Sequence, residues 1–444
     1  MPTTESTKKA PSTQAAVKAS KSEVFAWVTY HFANSGYLAV VAAAIFNAYF
    51  VGIVAPGGGY NKGTSTLLWT LAVGLSNFLV VVTGPMLGAI CDYTAAKKKV
   101  LAISTTICIL LTGLLYFVGP GSVFLGFILV AFSYFAFSTA ENMLASFLPD
   151  ICQPETIGRV SGAGCMVSHI GGVTVLGLSL AYVSLAEKHG LTQTQYVPIT
   201  VLAVAFIFAI FSLPMFIYLK DHSQHKKRPE GMSFWQIGMS RLQSTYQQAQ
   251  HYRDLFSLLT TIFLYTCGTS TVVVLAAVYA KQVMNFTASD TITMFIVFNI
   301  TATVGAWLMG QVQDKLGSKP SLMITLSTWL MAILVLVCAT TSSIFWLAAG
   351  CMGLANGASF TVGRACVGQF SPPGRAGEFF GLWGFAAKFA AIIGPISYGL
   401  ISYVTNGNHR LAILSTAIFF AAALALAATI NEKRGKQAAL SPIK

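Results

Sequence analysis

Apolar residues in this chain run on in long unbroken stretches, separated by short polar segments, instead of recurring every third or fourth position as on a half-buried helix. A helix crossing a hydrocarbon core needs ~20 such residues, because its backbone polar groups must all be satisfied within the segment. Twelve stretches meet that requirement: Trp27–Val54, Thr66–Ile90, Val100–Val118, Val123–Ala145, Val160–Leu185 and Val197–Leu219, then Leu255–Val283, Asp290–Val312, Leu322–Thr340, Ile344–Val367, Phe379–Val404 and Leu411–Ile430. Six lie on each side of a polar segment. The pattern predicts an all-α membrane protein of twelve transmembrane helices in two six-helix pseudo-repeats. The expected division is a tail over 1–26, a bundle over 27–219, a linker over 220–254, a second bundle over 255–430 and a tail over 431–444. In the linker, Phe234, Trp235, Ile237 and Leu242 fall near helical spacing among polar residues, which predicts a short amphipathic helix on the membrane surface.

Repetition within the sequence supports the two-bundle reading. GPMLGAICDYTAAKKK, from Gly84 to Lys99, follows the second apolar run and contains Gly88-x-x-x-Asp92, then Lys97, Lys98 and Lys99. GQVQDKLGSK, from Gly310 to Lys319, follows the second run of the second half and contains Gly310-x-x-x-Asp314, Gly317 and Lys319. The two aspartates are 222 positions apart, half of the 444-residue chain. A period of that length is the mark of a duplicated bundle. In each copy the glycines permit a tight turn or close helix approach, the aspartate can accept from helix N-terminal amides, and the lysines hold the loop at the water boundary.

Composition excludes most alternatives. The chain is 55% hydrophobic and 9% charged, against roughly 25% charged in a soluble domain. The formal charge of +13 sits in short clusters between apolar runs, which favours contact with anionic lipid over nucleic acid. With the N-terminus inside, one face collects Lys8, Lys9, Lys18, Lys21, Lys97–Lys99, Arg159, Lys220, Lys226, Lys227, Arg228, Arg241, Arg253, Lys315, Lys319, Arg375, Lys433, Arg434, Lys436 and Lys444. The other face receives only Lys62, Lys188, Lys281 and Arg410. The positive-inside rule therefore places both termini in the cytoplasm. The first residues lack the apolar core of a signal peptide and read as a disordered tail. The eight cysteines show no metal-ligand or paired spacing, so neither a metal site, a cofactor nor a disulfide framework is expected.

The repeated loop resembles the signature of the major facilitator superfamily, G-x-x-x-D-x-x-G-x-[KR]-[KR], although the first copy has Ala or Thr where the middle glycine is usual. Other stretches resemble its vacuole-effluxer-like branch: YHFANSGY from Tyr30 to Tyr37, SFLPDI from Ser146 to Ile151, Gly158-Arg159-Val160-Ser161-Gly162-x-Gly164, Gly171-Gly172, Gly363-Arg364, Glu378-Phe379-Phe380-Gly381-Leu382, Lys388 and Gly394-Pro395. The resemblance runs from the first span to the eleventh. It implies the major facilitator fold, solute movement by alternating access, amino acids among the substrates, and residence in a bacterial inner membrane. That branch commonly carries an aspartate at His31, a tyrosine at His169 and Asp-Gly at Cys267-Gly268, and the lost carboxylates bear on proton coupling.

Charges inside a span cost at least ~2.5 kcal/mol near the bilayer centre, so they tend to face a polar cavity or a partner. Glu141 in the fourth span can bind a proton or cation, and Lys388 in the eleventh can contact an anionic group or pair with Glu141. Both also fit a structural ion pair. His31 and His169 can change charge near neutral pH. Asn34, Asn142 and Asn356 are polar candidates for a solute pathway or for hydrogen bonds between helices. Arg364 and Glu378, with Gly88, Asp92, Lys97, Gly310, Asp314, Gly317 and Lys319, form the expected gating and loop set. The function expected is secondary active transport, proton-coupled, of an amino acid or organic anion by a monomer. The alternatives are a membrane-embedded sensor or enzyme, and a drug- or siderophore-type exporter. No catalytic motif in a plausible setting favours the enzyme.

Overall fold

A computed structural model describes residues 20–151, 157–221, 231–370 and 376–440, and each of the twelve expected spans is a helix. Spans 1 to 6 are Lys21–Gly57, Lys62–Thr94, Lys97–Leu114, Val123–Ser146, Ile157–Lys188 and Gln193–Tyr218. Spans 7 to 12 are Arg253–Met284, Ala288–Leu316, Ser318–Cys338, Ser342–Phe370, Ala376–Val404 and His409–Thr429. Most overrun their apolar stretch by a few residues, because the helices begin at polar caps outside it. Asn61 accepts from the Thr64 amide, Thr287 and Asp290 form a reciprocal box, and Asn408 accepts from the Leu411 amide. Span 1 departs from regular α-geometry over Tyr37–Ala44 and Phe50–Val54, which are wound as π-helix. Nothing in that apolar run announces the change of winding.

The starts of spans 1, 3, 7 and 9 and the exits of spans 6 and 12 share one side of the bundle, the basic face; the other side is the plain face. At the basic face each half is tied by the same stitch. In the first half the start of span 3 meets the exit of span 6: the Lys98 amide donates to Asp221 at 3.0 Å and its Nζ to the Leu219 carbonyl at 2.6 Å. In the second half span 9 meets the exit of span 12: the Lys319 amide donates to Glu432 at 3.0 Å and its Nζ to the Ala428 carbonyl at 2.6 Å. Each lysine thus caps the bare carbonyls of a neighbouring helix C-terminus. Glu23 and Asp254, at the starts of spans 1 and 7, extend the parallel by accepting from the Lys220 and Asn431 amides. The segment expected as a tail from 431 is helical over Glu432–Leu440, the terminal helix, held through Arg434 on Asp254 and through Gly435 against the Phe370 ring.

The two repeated loops turn differently. Ala95 closes span 2 in the left-handed region at φ 51, whereas Gly317 sits between spans 8 and 9 at φ 89 and ψ 174, where only glycine is comfortable.

Spans 2 and 11 cross between the halves in a V. Toward the plain face they touch: a Cβ on Gly63 would lie 2.7 Å from the Ser402 carbonyl, one on Gly74 2.7 Å from Ile396, and Gly399 is pressed on Thr70. Toward the basic face they part, and a Cβ on Gly84, Gly88, Gly381 or Gly384 would meet nothing within 4 Å. The bundle is shut at the plain face and open at the basic one.

Candidate functional site

The site is assembled where spans 1, 4 and 11 face one another. Trp27 donates its indole N–H to the Leu144 carbonyl at 2.8 Å, which fixes span 1 against span 4. One turn further along, His31 packs its ring edge-to-face on Trp27 at 4.4 Å. Span 5 comes in close behind because it has glycine there: a Cβ on Gly164 would lie 2.9 Å from His31 Cδ2, and one on Gly171 2.5 Å from Ser35 Oγ. Packed this way, His31 Nε2 is buried without a hydrogen-bond partner among the described residues. Among the described residues, Glu141 and Arg364 are the charged groups close enough to act on it.

Lys388 reaches across from span 11. Its Nζ lies 3.6 Å from Glu141 Oε2 and 3.4 Å from Ser138 Oγ, one helical turn from Glu141 on span 4. The ion pair therefore joins the two halves. Its side chains are 24% and 44% exposed for Lys388 and Glu141, so water reaches both. An ammonium has three N–H donors and a carboxylate about four acceptor positions, and this loose geometry leaves most of them available. The arrangement offers one positive and one negative group, a few ångströms apart, to whatever enters from the basic face.

His169 does not join this cluster directly. Its Nδ1 lies 3.3 Å from Asn299 Oδ1, a contact between span 5 and span 8 that also bridges the halves. Asn34 is buried, Asn356 half-buried and Asn142 exposed next to Glu141. Arg364 is exposed near the basic end of span 10. Of the loop set, Lys97 pairs with Asp150 at 2.7 Å and Lys319 makes the stitch described above, with Lys98 its counterpart in the first half. The residue that matches Lys97 in position is Ser318, which donates to Gln369 at 2.8 Å. Gly88 and Gly310 lie on spans 2 and 8, with only Thr361 at 3.8 Å from a Cβ on Gly310. The side chains of Asp92, Asp314 and Glu378 lie outside the described residues.

Sequence reasoning missed the closure at the plain face. Lys281 of span 7 lies over Gly52 of span 1 and donates to Gln193 of span 6 at 2.8 Å. Ser289 of span 8 donates to Glu187 of span 5 at 3.0 Å and lies 3.2 Å from Ser184. Asn47 of span 1 donates to the Val274 carbonyl of span 7 at 2.8 Å. Each is a contact between halves. The signal available was faint: charges at span ends are ordinary, and only the rarity of lysine on this face set Lys281 apart. An apolar groove of about 540 Å³ between spans 9 and 10, lined by residues such as Met323, Met331 and Leu347, is remote from all of these residues and faces outward.

Residues 19–440 match the family described as "Vacuole effluxer Atg22 like". The chain is 26% identical over 415 residues to the uncharacterized MFS-type transporter YxiO of Bacillus subtilis, covering 92% of this chain and 94% of that protein. It is 27% identical over 337 residues to autophagy-related protein 22 of Cryptococcus neoformans, covering 69% of this chain and 60% of the fungal protein. Among solved structures, a D-xylose-proton symporter superposes with a TM-score of 0.70 at 12% identity, over 94% of this chain and 99% of its own.

Proposed function

Because the chain belongs to the vacuole effluxer Atg22-like family and has the fold of major facilitator transporters, we propose that it moves a small zwitterionic solute, an amino acid in the first instance, by alternating access coupled to protons. The observation that carries this reading is the Lys388–Glu141 pair, partly exposed and shared between the halves. A solute carboxylate would take Lys388 and its ammonium Glu141, replacing a contact of 3.6 Å with two closer ones. Binding would then draw the halves together on the open side, as alternating access requires. With the basic face in the cytoplasm, both termini lie inside and the site faces inward. His31, beside Glu141, is the group proposed to carry the coupling proton. We take the protein to work as a monomer in a bacterial inner membrane.

The test is counterflow of labelled amino acids into proteoliposomes, with and without an imposed pH gradient, for wild type, Lys388→Ala and Glu141→Gln. Both variants should lose counterflow while keeping their fold. Undiminished counterflow in either would remove that residue from the site, and transport indifferent to a pH gradient would end proton coupling. An organic anion is the second reading, favoured by Arg364 near the same opening. In that case Glu141→Gln should keep transport and Lys388→Ala should lose it.

A further inference from the structure

The linker between the halves contains the helix Phe234–His251. It starts at a defined point: the Ser233 amide donates to Gln236 Oε1 at 2.8 Å, and the Gln236 amide returns a bond to Ser233 Oγ at 3.2 Å. That reciprocal cap fixes the register of everything after it.

Two faces follow. On the inner face Ile237 and Gly238 are buried, and Gly238 lies so close to the Pro85 carbonyl of span 2 that no Cβ fits there. Phe234 meets Tyr93 at the end of the same span, with ring centroids 6.5 Å apart. Pro85 is nine residues before Thr94, the last residue of span 2, or ~14 Å along the helix. The linker helix is therefore tucked in beside span 2 and does not simply lie across the mouth. At its far end Tyr246 packs against Phe256 of span 7 at 5.9 Å, and the helix also touches span 11. It thus contacts both halves on the side where spans 2 and 11 part.

The outer face carries Trp235, Met239 and Tyr246, which are 40%, 40% and 46% exposed. At steps of four and seven residues they share one stripe of a helix. Trp and Tyr prefer the boundary between headgroups and acyl chains, where an apolar ring and a polar edge are both satisfied. The helix lies beside Tyr93 near the end of span 2 and Phe256 near the start of span 7, where spanning helices leave the hydrocarbon. By sequence the linker is basic, with Lys220, Lys226, Lys227, Arg228, Arg241 and Arg253, and that composition matches an anionic leaflet.

We propose that the linker helix is a lipid-held wedge: its aromatic stripe binds the headgroup boundary of an anionic leaflet, and its glycine face keeps span 2 apart from span 11. Closing the basic face brings those spans together and displaces the helix from Pro85. Lipids that retain the helix accordingly bias the transporter toward its open basic face. The device does not depend on which solute is carried.

The test uses the full chain, freed of native cysteines, in nanodiscs of phosphatidylcholine alone or with phosphatidylglycerol. A spin label at Met239→Cys reports depth through its accessibility to oxygen and to a water-soluble relaxant. Labels at Thr94→Cys and Gly381→Cys report the opening between spans 2 and 11. The label at 239 is expected at the headgroup boundary, deeper in the anionic discs, and the 94–381 distance is expected to favour its long value there. Trp235→Ala, a change at an exposed position, should abolish the lipid dependence. Gly238→Leu, which cannot seat on Pro85, should raise the short-distance fraction about fivefold or more in both lipids. A label that stays in water in both discs would overturn the proposal and leave the stripe to a protein partner. So would a distance distribution indifferent to lipid, to Trp235→Ala or to Gly238→Leu. None of these readouts requires transport, so failure of the solute reading and failure of this one are separately visible.

Discussion

Gln193→Ala should unlock the plain face. Gln193 supplies the hydrogen bond that Lys281 makes at 2.8 Å across the halves, and it also faces the Tyr196 hydroxyl. With the amide removed, a half-buried ammonium lies against Gly52 with no replacement acceptor in view. A hydrogen bond to a charged group contributes about 1.5–3 kcal/mol, and the stranded donor adds its own desolvation cost. Opening the plain face lets Lys281 hydrate, so the whole penalty falls on the closed state. At 1.4 kcal/mol per tenfold, the open fraction should rise by roughly 10- to 100-fold. Labels at Thr192→Cys and Ser343→Cys, at the plain-face starts of spans 6 and 10, would register the change as a second, longer distance in a pulsed spin-echo measurement. Lys281→Met supplies the control, because it removes the bond and the buried charge together. It should shift the distribution less than Gln193→Ala, and adding it to Gln193→Ala should restore the closed state. Equal shifts for both single variants, or no shift for Gln193→Ala, would refute the argument that a desolvated charge sets this closure.

The remaining predictions concern stability and are read as thermal unfolding of detergent-solubilised protein. Ala95→Gly should raise the midpoint by about 1–2 °C, because it relieves a left-handed alanine at φ 51, while Gly317→Ala should lower it by more, since φ 89 excludes a side chain and its Cβ would lie 3.2 Å from Glu432. A rise for both or a fall for both would contradict the different turns described here. Lys98→Met and Lys319→Met should each destabilise by about 1 kcal/mol, discounted for solvent access; a cost at only one position would undo the equivalence of the two stitches. Burial raises the Glu432 carboxyl, but hydrogen bonds from the Lys319 amide and the Lys436 ammonium outweigh it and hold the group below its ordinary 4.5. Its contribution is complete above that value and disappears as pH falls through the lowered one, so Glu432→Gln should flatten the loss of stability as pH falls below 4.5. An unchanged slope would remove Glu432 from the clamp.

Spans were legible because a bilayer imposes one requirement on every crossing segment, and meeting it leaves a long apolar run. Glu141 and Lys388 were legible for the converse reason: a charge inside such a run has to be accommodated. What they face was not, because Ser138 and Glu141 meet Lys388 only after helices 250 residues apart in sequence are packed. The repeat revealed that there are two similar loops, but sequence offset pairs Lys97 with Lys319, whereas hydrogen bonding pairs Lys98 with Lys319. A shift of one residue on a helix turns the side chain by 100°, and a sequence period cannot resolve it when three lysines stand in a row. The π-helical turns of span 1 were illegible for a related reason, since Tyr37–Ala44 is apolar throughout and carries no periodicity to interrupt.

The plain-face closure explains why so little of the interface between the halves shows in the sequence. It is built from small residues and single polar contacts: glycines at 63, 74 and 399, then Asn47, Lys281, Ser184 and Ser289. Glycine contacts bring backbones together without interlocking side chains. Each polar contact exchanges bonds to water for bonds to protein, with a net gain of about 0.5–1.5 kcal/mol, more where a charge takes part. A handful of these sums to a few kcal/mol. That is the scale on which a two-state equilibrium can be reversed by ligand binding, since passing from 1:99 to 99:1 takes about 5.5 kcal/mol. A large aromatic or aliphatic seam at this position would announce itself as a conspicuous apolar face, and it would also hold the halves shut beyond the reach of a small solute. On the alternating-access reading proposed above, the interface is inconspicuous because it has to open.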